Sequence, residues 1–134
     1  MNLGDVMDEI GTAVGSIDGM RVFPYSADRV TPPAALVVWP DEITYDTAMS
    51  RGGDRYTLPL WVVVGKADAR TTRDRLSQYI DGAGDASVKS VVDGGTYTAC
   101  DSIRVMSATV ESVEIAGVNY LAANFQLDVI GTGG

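Results

Sequence analysis

Arg55-Tyr56-Thr57-Leu58-Pro59-Leu60-Trp61-Val62-Val63-Val64-Gly65 is the stretch on which the fold turns. Tyr56, Leu58, Leu60, Val62 and Val64 recur at a period of two, which sends alternate side chains to one face of a strand. Trp61 and Val63 make the other face apolar as well, so the reading predicts a strand covered on both sides. Upstream, Ile43 to Asp46 starts another strand. Residues 47–54 between them, Thr-Ala-Met-Ser-Arg-Gly-Gly-Asp, read as a flexible loop, so the pair forms a long hairpin with an extended tip.

Working outward, the C-terminal half is also sheet. Residues 97–106 alternate, with Tyr97, Ala99, Asp101, Ile103 and Val105 on one side. Residues 108–115 carry Val113 and Ile115, and Ala116 to Asn119 is the expected turn. Leu121, Ala123, Phe125, Leu127 and Val129 then give the cleanest period of two. On the N-terminal side, Ala34 to Trp39 is a continuous apolar run bounded by prolines, a buried strand. Val22-Phe23-Pro24-Tyr25 is an edge strand or extended arm, since proline cannot donate to a ladder.

Three helices complete the pattern. Over 2–17, Leu3, Val6, Met7, Ile10 and Val14 form one apolar stripe behind an Asn2 cap. Asp68 is the expected cap of a helix over 69–81 that buries Thr72, Leu76, Tyr79 and Ile80. A short helix over 86–92 ends at Gly94-Gly95. The fold class is therefore α+β, a mostly antiparallel sheet with two or three helices on one face. The 134 residues form a single domain, 1–134, with 131–134 as a loose end.

Composition narrows the chemistry by subtraction. Histidine is absent and Cys100 is the lone cysteine, which removes the commonest general base, disulfides and cysteine-rich zinc sites. Cys100 reads as a structural, buried or half-buried thiol. The carboxylates Asp41, Glu42 and Asp46 lack the spacing of a calcium loop and read as solvated charge. Arg51-Gly52-Gly53-Asp54 lacks the lysine of a phosphate loop and leads into a strand where such a loop leads into a helix. No catalytic residue, cofactor or metal is expected, and the expectation is a non-enzyme. A net charge of −8 disfavours a polyanion partner. Arg70, Arg73 and Arg75 share their helix with Asp74 and read as a solvated mixed-charge face. No apolar run of about 18 residues or signal peptide is visible, so no membrane is involved and the expected compartment is a cytoplasm. Trp39 and Trp61 fit either the core or a subunit contact.

Several short motifs occur in a fixed order: Pro24-Tyr25-Ser26, Pro32-Pro33-Ala34-Ala35, Tyr45-Asp46 and Val62-Val63-Val64-Gly65. Arg73 to Ile80, Ser87-Val88-Lys89 and Gly117 to Ala123 follow. Together, over about residues 5–130, they make the chain resemble the tail terminator (tail completion) proteins of long-tailed actinobacteriophages. Where related members open the central helix with an Asp-Arg pair, this chain has Ala69-Arg70.

The resemblance implies a virion protein of the tail–neck junction, assembled in the host cytoplasm. It implies a hexameric ring that caps the tail tube, stops its growth and meets the head connector or stopper protein. It implies no catalysis. Met49, Arg51, Asp54 and Trp61 are the expected interface residues, with the 47–54 loop meeting the tube or a neighbour. Six copies at −8 each carry about −48 formal charges, and an acidic lumen repels DNA phosphates so that a genome slides through. Asp41, Glu42, Glu111 and Glu114 are the candidate channel-facing acids. The competing readings are another neck or tail protein (a head-completion or stopper protein, or a tail-tube subunit) and a small-ligand-binding α+β domain.

Overall fold

The computed structural model describes residues 2–23, 33–40, 42–44, 53–115 and 117–132. Helix α1 spans Leu3–Val14, and the Asn2 side chain accepts the Asp5 N–H at 3.1 Å as expected of a cap. The helix ends at Val14, three residues before the expected end, yet Ile17 still reaches the core. Helix α2 spans Arg70–Ile80 with Ala69 at its N-cap and no side-chain cap. Asp68 is therefore not the cap; it lies one residue too early, in the turn that leads to Ala69. Thr72, Leu76 and Tyr79 are buried, but Ile80 is exposed. At 3.6 residues per turn Ile80 sits roughly 80° around the helix from Thr72, at the margin of the stripe. Helix α3, Val88–Asp93, starts at Ser87, whose Oγ accepts the Ser90 N–H at 3.1 Å.

The sheet runs β1 (Arg21–Phe23), β2 (Ala34–Val37), β4 (Gly53–Lys66), β6 (Val118–Thr132), β5 (Ser102–Ile115), with β3 (Glu42–Thr44) also paired to β4. β1 against β2 is parallel and the other pairs are antiparallel. The class is α+β, as the sequence predicts. β2 and β3 share one flank of β4 in succession: β2 ends opposite Leu60 and β3 begins opposite Thr57. Pro59 occupies the gap between them. It has no N–H to donate to that flank, while its carbonyl accepts from Val38 at 3.2 Å.

Tyr56, Leu58, Leu60, Val62 and Val64 join Ala123, Phe125, Leu127 and Val129 in one core, with α1, α2 and α3 packed over it. Each fully buried Leu, Val, Ile or Phe there contributes about 1.5–3 kcal/mol. The expectation that β4 is covered on both faces is corrected. On the helix-free face Val63 is buried in register with Ala34 and Ala122, but Trp61 is half-buried and Arg55 and Thr57 are exposed. The apolar run from Ala34 leaves the sheet after Val37, and Trp39 is 62% exposed rather than part of a buried strand.

Three expectations about the C-terminal half are also corrected. Residues 97–101 are not strand. The Glu9 carboxylate on α1 accepts N–H bonds from Thr98 and Ala99 and the Thr98 hydroxyl, so α1 takes the backbone bonds a ladder would use. Residues 102–115 form one strand and not two, with a register shift between Val105 and Ser107 that leaves Met106 as the extra residue of a bulge. The turn is shorter than expected: Ile115 pairs with Val118, and Gly117 takes a φ of 79° that favours glycine. Gly131 and Thr132 are not a loose end but continue β6 opposite Asp54 and Gly53. Gly53 and Asp54 accordingly belong to β4 and not to the preceding loop.

Candidate functional site

Two surfaces carry unspent chemistry: the helix-free face of the sheet, and the far half of β5. On the helix-free face, Trp61 lies between Leu36 and Asn124 in register. One ion pair crosses this face diagonally. Arg55 donates from Nε and Nη2 to the two carboxylate oxygens of Asp128 at 2.6 and 3.0 Å. Asp128 is only 7% exposed, so the fork compensates a carboxylate largely removed from water. That hydrogen bond, and then the charge, raise the Arg55 pKa above its ordinary value. Among the described residues no buried side-chain polar atom lacks a partner.

β5 closes the sheet at its edge, and its two halves differ. In the first half α3 shields it. The Val105 N–H donates to Asp93 Oδ1 at 2.9 Å, the Val105 carbonyl accepts from Lys89 Nζ at 3.4 Å, and Lys89 also pairs with Asp93. Beyond Val105 the helices no longer reach. Residues 106–112 are exposed on both faces, Met106 by 57% and Val110 by 48%.

The sequence-selected residues do not form one cluster. Met49, Arg51 and Asp41 lie outside the described residues. Asp54 begins β4 opposite Gly131, and Trp61 is a half-buried residue of the helix-free face. Glu42 is in β3 opposite Thr57, which in turn faces Asp128. Glu111 is opposite Ala122, six residues along β6 and so about 20 Å away. Glu111 and Glu114 fall on opposite faces, because the first pairs with the helix-free series of β6 and the second with the core series. Glu111 and Glu114 thus do not line one wall within a subunit. Among the described residues no cluster of carboxylates or Cys100 has the makings of a metal centre. Cys100 is buried as expected, and burial, then the Glu9 and Asp101 carboxylates, push its thiol up to about 11.

Sequence reasoning missed Glu9, the Lys89–Asp93 shield, the Arg55–Asp128 fork and the exposed Met106 and Val110. Only Lys89 and Asp93, four apart on one helix, left a signal. A groove of about 710 Å³ runs between the end of α1, α2 and α3, lined in part by Asp18, Arg75, Tyr79 and Asp85. It is partly open to solvent. No helix among the described residues is long and apolar enough to cross a membrane. No protein-family model and no curated protein matches the chain.

Proposed function

We propose that the chain is a structural phage neck protein, a tail terminator whose ring caps the tail tube, stops its polymerisation and joins it to the head connector. The observation that carries the reading is the helix-free face of the sheet. Strands of 14 and 15 residues spread a surface that no described helix covers, around half-buried Trp61, Leu36 and Pro59. Such a face suits burial against neighbouring subunits, where large aromatics are enriched. The residue order described above and the net charge of −8 support it further. In this reading the chain is not an enzyme, and its partners are copies of itself, the tube protein and the connector.

The test is mass and capping together. Light scattering across a concentration series should find a species near 85 kDa, about six chains of 14.2 kDa. Added to polymerising tail-tube subunits, the protein should halt tube growth. Trp61→Ala and a deletion of 47–52 should leave a folded chain that fails to cap. A chain that leaves tube growth unchecked at every concentration refutes the reading.

A stop codon at Gln78 in the phage genome separates the neck alternatives. Loss of a terminator gives overlong tubes, loss of a stopper gives heads that leak DNA, and loss of a tube subunit gives no tubes. The groove beside α1 favours a small-ligand-binding domain. A rise in the melting midpoint against a metabolite mixture is its test.

A further inference from the structure

We infer that the far half of β5 is a self-pairing edge, and that two free copies of this chain associate through it as antiparallel strands about a two-fold axis at Val110. This concerns the free subunit and does not rest on the ring reading.

The ladder itself identifies the groups left unpaired. The Asp101 N–H donates to the Ile130 carbonyl, so the even-numbered residues of β6 face β5. Ser107, Thr109, Glu111 and Val113 stand opposite Gln126, Asn124, Ala122 and Tyr120 and bond inward. Alternation then turns the N–H and C=O of Ala108, Val110 and Ser112 outward, where no described residue pairs with them. An edge of this length with both faces exposed is a template for another strand.

A second copy fits that template in one register. With Val110 facing Val110 of the second copy, Ala108 faces Ser112, and each of these outward pairs can exchange two backbone bonds. Thr109 faces Glu111, and Ser107 faces Val113. A shift by two residues one way sets Val110 against Ala108, so the two exposed Val110 side chains no longer meet. A shift the other way sets Glu111 directly against its own copy, and like charges directly opposite are destabilising. The Val110 contact and the Glu111 charge therefore select the two-fold register. The exposed Val110 side chains meet across the axis and lose their contact with water.

The experiment uses the purified full chain with Cys100 replaced by Ala. Val110→Cys should oxidise to a disulfide-linked pair, since an outward-bonded pair has Cα atoms about 5.5 Å apart, within disulfide range. Ser107→Cys should not, because the two copies of residue 107 lie about 20 Å apart in this register. Val110→Pro removes an outward N–H without touching the β5–β6 ladder, so it should keep its melting midpoint and lose the two-chain species in light scattering. Glu111→Gln should strengthen association, because the two Glu111 carboxylates are diagonal neighbours.

Equal cross-linking at 107 and 110, a two-chain species that survives Val110→Pro, or weaker association in Glu111→Gln overturns the inference. So does a chain that is monomeric at every concentration. A species near 85 kDa without the 110 disulfide overturns it while leaving the ring reading intact. A 110-linked pair that fails to cap tubes supports it while the ring reading fails.

Discussion

Gly65 is where the position of α2 on the sheet can be tested. A Cβ built on Gly65 would lie 2.5 Å from Thr72 Oγ1, with the Thr72 Cβ at 3.5 Å. Thr72 is buried on α2, so its hydroxyl has little room to retreat. About 0.9 Å of movement is needed to restore an ordinary 3.4 Å contact. Overpacking of this kind costs about 1–3 kcal/mol. Gly65 has no positive φ, so alanine also gains about 0.4–1 kcal/mol by restricting the unfolded chain. The net expectation for Gly65→Ala is a loss of about 1–2 kcal/mol, or about 3–8 °C in the melting midpoint.

Thr72→Ala removes the oxygen in the way. In that background Gly65→Ala should be neutral or slightly stabilising, a coupling of at least about 1 kcal/mol in a double-mutant cycle. Urea unfolding of the four chains, with unchanged m, measures it. Equal destabilisation by Gly65→Ala in both backgrounds refutes the proposed contact between α2 and the end of β4.

Other consequences follow from single groups. The Thr98 hydroxyl, and then the Thr98 and Ala99 N–H groups, hold Glu9 below its ordinary 4.5. Its contribution is therefore present above pH 4.5 and lost as pH falls through the lowered value, so Glu9→Gln should flatten the acid limb of midpoint against pH; an unchanged limb refutes the anchor. Cys100, buried with its thiol raised, should label slowly with a thiol reagent at pH 8 and give one thiol per chain in denaturant; prompt labelling of the native chain refutes its burial. Arg55→Ala strands the buried Asp128 carboxylate and should lower stability more than Arg55→Ala in an Asp128→Asn chain, read by thermal melts; equal losses refute the fork.

Much of the fold was legible because burial and period coincide in particular segments. Tyr56 to Val64 and Leu121 to Val129 send every second residue into the core and form the two central strands, where core demand acts on that period. Asn2 and Ser87 mark helix starts because their side chains satisfy local N–H groups. Residues 97–101 misled because their alternation is real while their backbone partner, Glu9, lies 89 residues away in sequence. Met106 misled by merging two expected strands, since a bulge shifts the period without breaking the ladder.

By itself, the sequence determined the class: an α+β sheet under helices, without histidine and with one thiol, because period, caps and composition are local properties. Which surfaces stay uncovered was decided only in three dimensions. Val110 is as apolar as Val105, yet α3 ends over Val105 and leaves Val110 in water. Trp61 is half-covered because all three helices pack on the other face, and Glu111 and Glu114 part company because strand pairing fixes their side of the sheet. Exposure depends on where distant elements stop, and no local pattern records that.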